Sequence, residues 1–183
     1  FFWEQELLNF KFKDLTINAK HKLVTGKTPT IVRACSVKEQ EPRVLDLCSG
    51  FAKDLMLLSK YFKALTAIEL CPEIALLSIS ALIRSQISLD YYIGDGLKLI
   101  EHLEFDVIYL DPMFVELEKK SLPGKQMQMA RELCRPLELK ELINRSKHKA
   151  KNKVVLKYPS KFTPPIKPDH EFTGKLINYG VYL

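Results

Sequence analysis

The sequence predicts an α/β fold, a mostly parallel sheet with helices on both faces, and three observations predict it. Short runs of β-branched, aromatic and aliphatic residues alternate with amphipathic stretches, the rhythm of strand–helix–strand crossovers. Four successive runs end at an acid: Asp46, Glu69, Asp95 and Asp111. The fourth run then breaks at Pro112, which has no N–H to donate and a fixed φ, so pairing stops and a rigid turn begins.

The elements follow in order. Residues 1–28 start with an apolar-aromatic stretch (Phe1, Phe2, Trp3), after which Phe10 and Phe12 alternate with Lys11 and Lys13 at a strand-like period of two. This leading segment reads as an N-terminal extension, and because it opens on Phe1 it is expected to be the remainder of a longer region. The main domain is expected over residues 29–183. Gly26 and Pro29 mark a turn, and Thr30 is a candidate cap for a short helix through Cys35. Residues 43–47 predict a first buried strand, and Cys48-Ser49-Gly50 a tight turn. A helix from Lys53 to Phe62 follows, then a strand over 64–68 closed by Glu69. Pro72 suits the first turn of a helix running to Arg84. A strand over 89–93 ends in Gly94-Asp95-Gly96, and a short helix to His102 leads into the strand that delivers Asp111. Helices are expected at 126–133 and 137–149, a strand at 154–156, and strand-like pieces at 171–173 and 176–182.

With 183 residues and 46% hydrophobic content, the chain can bury a core of its own. No apolar run approaches the ~20 residues of a membrane span, and no secretory leader is recognisable. The four cysteines lack Cys-x-x-Cys spacing, so free thiols in a reducing cytoplasm are expected, and no metal site. The net charge of +6 is uneven. Eight lysines lie between Lys147 and Lys175 against Asp169 and Glu171, and Lys11, Lys13, Lys20, Lys22, Lys27 and Arg33 form a second basic region. Two such runs in one small domain point to a polyanionic partner.

Chemistry is expected at the carboxyl edge of the sheet, where open α/β folds hold their ligands. Asp46-x-x-x-Gly50, with Glu69 closing the next strand, is the spacing of a nucleoside-binding half: the glycine turn admits the ligand and Glu69 accepts from ribose hydroxyls. Only Gly50, Phe51 and Ala52 occupy the loop, too few glycines to cradle a pyrophosphate, so an adenosyl ligand without phosphates fits better. Asp95 is placed for its adenine amine, and Lys53 and Asp54 for its far end. Asp111, the Pro112 carbonyl and the Phe114 ring suit a flat heterocycle with an exocyclic amine.

These motifs, in this order, resemble the class I S-adenosylmethionine-dependent methyltransferases. More narrowly the chain is similar to the bacterial 16S ribosomal RNA guanine-N2 methyltransferases of the guanine-1516 type. The similarity rests on residues 46–54, Tyr109-Leu-Asp-Pro-Met-Phe114, 119–131 with Met127, 153–157 followed by Pro159 and Pro164-Pro165, and 175–182. It departs from the family pattern at Ala52, where a second glycine is usual, and at Val115, where proline is usual. The resemblance implies a Rossmann-like seven-stranded sheet and S-adenosylmethionine as methyl donor. Its donor contacts fall on Lys53, Asp54, Glu69, Leu70, Asp95, Gly96 and Asp111, beside Asp46 and Gly50. It implies 16S ribosomal RNA or the small ribosomal subunit as partner, with Lys22, Lys27 and Lys157 as candidate RNA contacts. Asp111, Pro112 and Phe114 would be the catalytic group. Two other readings stay open: an adenine-N6 methyltransferase on DNA or RNA, and an RNA-binding protein that kept the fold and lost catalysis.

Overall fold

The computed structural model describes residues 8–11, 28–112 and 138–183. Among these residues eight strands and five helices follow in chain order: β1 (Leu8–Lys11), α1 (Thr30–Cys35), β2 (Val44–Asp46), α2 (Lys53–Leu58), β3 (Leu65–Glu69), α3 (Pro72–Arg84), β4 (Asp90–Ile93), α4 (Gly96–His102), β5 (Phe105–Leu110), α5 (Leu139–Lys149), β6 (Ala150–Pro159), β7 (His170–Phe172) and β8 (Ile177–Tyr182). They build one sheet of order β1-β4-β3-β2-β5-β6-β8-β7. The β2–β3, β3–β4, β2–β5 and β5–β6 pairs are parallel, and the outer pairs are antiparallel. The seven expected strands are present. The eighth comes from the leading segment, whose β1 lies against β4 with Leu8 opposite Ile93. Of that segment, residues 8–11 thus pair with the sheet.

Local chemistry sets the element ends. α3 begins at Pro72, with Glu73 in its first turn and Arg84 in its last, matching the helix dipole. Asp95 caps α4 by accepting from the Leu97 N–H at 2.9 Å, and Glu138 caps α5 through the Glu141 N–H at 2.9 Å. Thr30 does not cap α1. Pro29 holds that position without a side-chain bond, and Thr30 is the first helical residue. Lys153 satisfies the other end of α1, donating to the Ser36 carbonyl at 2.7 Å. β6 is much longer than the expected apolar trio, because polar Lys151, Asn152 and Lys153 continue its ladder. α2 is shorter than expected, its last turn passing into turns at Lys60 and Tyr61. The helix expected at 126–133 lies outside the described residues.

Strand alternation sorts two cores, one on each face of the sheet. Val44, Leu65, Ala67, Val107, Tyr109, Val155 and Val181 pack with α1, α2 and α3. Leu45, Ile68, Ile108, Leu110, Val154 and Leu156 pack with α4 and α5. The same parity carries Asp46, Glu69, Asp111 and Lys157 onto the face of α1, α2 and α3.

Candidate active site

β2 has β3 on one side and β5 on the other, so the chain reverses its direction of winding at β2. Crevices outside such a switch point are where open sheets bind ligands. The turn after β2 and Asp111 after β5 flank this crevice.

The turn is fixed from several sides. Gly50 has φ 49° and Ala52 φ 59°, both left-handed, and for alanine this costs about 1–2 kcal/mol. The Gly50 N–H donates to Glu69 Oε2 at 2.8 Å, and the Cys71 N–H to Glu69 Oε1 at 2.9 Å. Glu69 thereby ties the first turn to the end of β3. Burial pushes its carboxyl up, while the N–H groups of Cys71, Gly50 and Leu70 pull it back toward the ionised form. The Ser78 hydroxyl on α3 donates to the Gly50 carbonyl, and Ser49 and Tyr91 share a hydroxyl bond at 2.8 Å.

Asp46 lies beneath this turn, 1% exposed, and its Oδ1 has no hydrogen-bond partner among the described residues. Burial, then the carboxylates of Asp111 and Asp54, push its carboxyl well above the usual range. An orphaned buried acceptor among like charges leaves room for a donor or a cation.

Beside it Asp54, Lys157 and Asp111 form one unit. The Lys157 ammonium donates to Asp54 Oδ2 at 2.6 Å and to Asp111 Oδ2 at 2.9 Å. The Tyr109 hydroxyl donates to the same Asp54 oxygen at 2.6 Å. Burial opposes the lysine charge, but Asp111 and Asp54 outweigh it and hold the ammonium above the ordinary range. Asp111 is raised by burial first, lowered by Lys157 and raised again by Asp54. Tyr179, paired with Lys157 across the β6–β8 ladder, is pushed up to about 12 by burial and by Asp54.

The structure thus brings together Asp46, Gly50, Asp54, Glu69, Asp111 and Lys157. Lys53 opens α2 next to Asp54, and Leu70 follows Glu69. Asp95 lies at the end of β4, with one carboxylate oxygen held by its own helix. Gly96 has a packing reason for lacking a side chain, since a Cβ there would sit 2.8 Å from Leu47 Cγ. Lys157, a candidate RNA contact, has its ammonium on two carboxylates, with 21% of the side chain exposed. Phe114, Lys22 and Lys27 lie outside the described residues. Tyr91, Ser78, Tyr109 and Tyr179 were not anticipated. For Tyr109 the signal was available, because it sits two residues before Asp111 on the same face of the strand.

The family described as "Putative SAM-dependent methyltransferase" matches residues 3–183. Ribosomal RNA small subunit methyltransferase J of Legionella pneumophila (strain Lens) is 30% identical over 169 residues, 86% of this chain and 69% of that protein. The protein of the same name from Coxiella burnetii (strain Dugway 5J108-111) is 34% identical over 172 residues, 86% of this chain and 67% of that one. This chain therefore spans about two thirds of these relatives' length. Among solved structures, a SAM-dependent methyltransferase of Neisseria gonorrhoeae superposes with a TM-score of 0.57 at 24% identity, covering 78% of this chain and 65% of that one.

The residues present fit S-adenosylmethionine, the donor of the family. Four acids, Asp46, Asp54, Glu69 and Asp111, lie about the crevice, and Lys157 is bonded to two of them, Asp54 and Asp111; this excess of carboxylates over cations suits a ligand bearing positive charge, hydroxyls and amines and no phosphate. The unpartnered Oδ1 of Asp46 is an acceptor that such a ligand could satisfy. With one family match running almost end to end, a sheet in the order described and an edge suited to a cationic donor, this chain belongs to the SAM-dependent methyltransferases.

Proposed function

We propose that this chain methylates the exocyclic N2 amine of a guanine in small-subunit ribosomal RNA, acting in the cytoplasm. The observation that carries this is Asp111-Pro112 at the carboxyl end of β5, beside the Gly50 turn and within one hydrogen-bonded unit with Asp54. The names of the curated relatives support the choice of substrate. When bound, the donor supplies an electrophilic methyl group. The rest falls to the protein. Guanine N2 is a poor nucleophile because its lone pair is delocalised into the ring. The Asp111 carboxylate and the Pro112 carbonyl would each accept one N–H, which would aim that lone pair. Phe114, as the sequence suggests, would stack on the base. Such a site works by orientation and electrostatics, and its base must leave the stack to enter. No metal is required of this arrangement.

The test pairs donor titration with nucleoside mass analysis of small-subunit RNA treated with the purified chain. Wild type should yield N2-methylguanine, and Asp111→Ala should lower kcat by at least about a hundredfold, as for lost transition-state acceptors. N6-methyladenine in place of methylguanine would keep the mechanism and reject the base. Donor binding with no methyl transfer to any base would reject the enzyme reading.

A further inference from the structure

We propose that Lys157 is a positioning residue, one that fastens Asp111 to the start of α2 so that its carboxylate meets the substrate amine in a single orientation. This rests on reading Asp111 as the acceptor for that amine. The parity of β5 and β6 places Asp111 and Lys157 on the same face of neighbouring parallel strands, Leu110 being paired with Leu156 just before them. The ammonium then spans to α2 and holds Oδ2 of both carboxylates, at 2.6 and 2.9 Å. Asp111 Oδ2 thereby spends one of its two lone pairs on Lys157, which leaves Oδ1 as the oxygen with both to offer the amine. Tyr109 braces the same unit from below through Asp54. A lysine built to grip phosphate would extend its ammonium into solvent. This one is held by two carboxylates and is about four-fifths covered.

Among the described residues, the groups facing Asp111 are Lys157 from β6, Asp54 from α2, Asp46 from β2, Cys48 from the turn, Tyr109 from β5 and Tyr179 from β8. Lys157 is the cation among them. Without it, Asp54 and Asp111 would repel each other unshielded, and Asp111 would take up a proton at higher pH.

The experiment uses the full chain, S-adenosylmethionine and small-subunit RNA, with Lys157→Met and Lys157→Arg. Lys157→Met should lower kcat by roughly tenfold to a hundredfold, the penalty of a misplaced group. It should also move the acid limb of the kcat profile to higher pH, by about one unit or more. RNA affinity and its salt slope should stay as in wild type. Lys157→Arg keeps the charge, so its acid limb should stay in place even where kcat drops. A carbon-detected NMR titration of the Asp111 carboxyl should show the same displacement in Lys157→Met, with no RNA present. A salt slope reduced by about one, with kcat at saturating RNA unchanged, would make Lys157 a phosphate contact and overturn the proposal. A lower melting temperature with an unmoved acid limb and normal kcat per folded molecule would reduce it to a structural ion pair. A wild-type chain that titrates as expected yet transfers no methyl group would reject the functional reading itself, and with it any positioning role.

Discussion

At the scale of single residues, Glu69 has two duties that an alanine would remove together. It accepts the Gly50 and Cys71 N–H groups, and on the proposed reading it would also accept from the donor's ribose hydroxyls. Losing a charge-assisted hydrogen bond to the donor would cost about 1.5–3 kcal/mol, roughly a tenfold to hundredfold loss of affinity. Glu69→Ala should show this in calorimetric titration with S-adenosylmethionine. Orphaning two backbone donors should also lower the melting temperature, so the titration belongs well below it. Unchanged affinity would remove Glu69 from the donor site. The acids were legible in the sequence because each ends an apolar run. What they bond to was not. Asp95 caps a helix, Lys157 is turned inward, and Ser78 reaches Gly50 from a helix whose sequence offers no hint of it. Side-chain partners across 28 to 103 positions depend on register and helix placement, which local pattern does not encode.

At the scale of elements, the order of strands and helices could be read almost entirely, because parallel strands buried on both faces stand out as continuous apolar runs. The misjudged ends were those where pairing extended past the apolar residues, as in β6. α4 shows how an element end serves the site. It starts at Gly96, pressed against Leu47, and its cap is Asp95. Gly96→Ala would drive a Cβ to 2.8 Å from Leu47 Cγ and 3.1 Å from the Leu47 carbonyl oxygen, and backbone cannot easily give way. A loss of about 1–3 kcal/mol in denaturant unfolding is expected. Unaltered stability would mean that α4 can shift without consequence, and that Asp95 is not rigidly placed.

For the whole molecule, charge has to be counted by location. Of the eight lysines from Lys147 to Lys175, Lys147, Lys149 and Lys151 pair with Asp169, Glu101 and Glu104. Lys153 serves α1, and Lys157 the site. Lys161, Lys167 and Lys175 are exposed, and Lys161 and Lys175 come close at the carboxyl edge, where the Ser160 hydroxyl bonds the Lys175 carbonyl at 3.1 Å. These two are the better-placed phosphate contacts. Changing both to glutamine should reduce the slope of log affinity for RNA against log salt by about two, one per phosphate neutralised. An unchanged slope would put the RNA path elsewhere. The sequence showed the basic run clearly, but not which of its charges were already matched.

Ala52 carries a different consequence, one of mutational reach. It is fully buried, and its backbone is left-handed where α2 begins. Burial shuts out polar and bulky side chains, and the left-handed turn shuts out β-branched ones. Alanine and glycine are the residues that meet both demands. Glycine would relieve the backbone cost, but it would free the unfolded chain and forfeit a buried methyl, opposing effects of similar size. The usual glycine of this motif and the alanine found here are therefore near-equivalent solutions, and neutral drift at position 52 should run back and forth between these two alone.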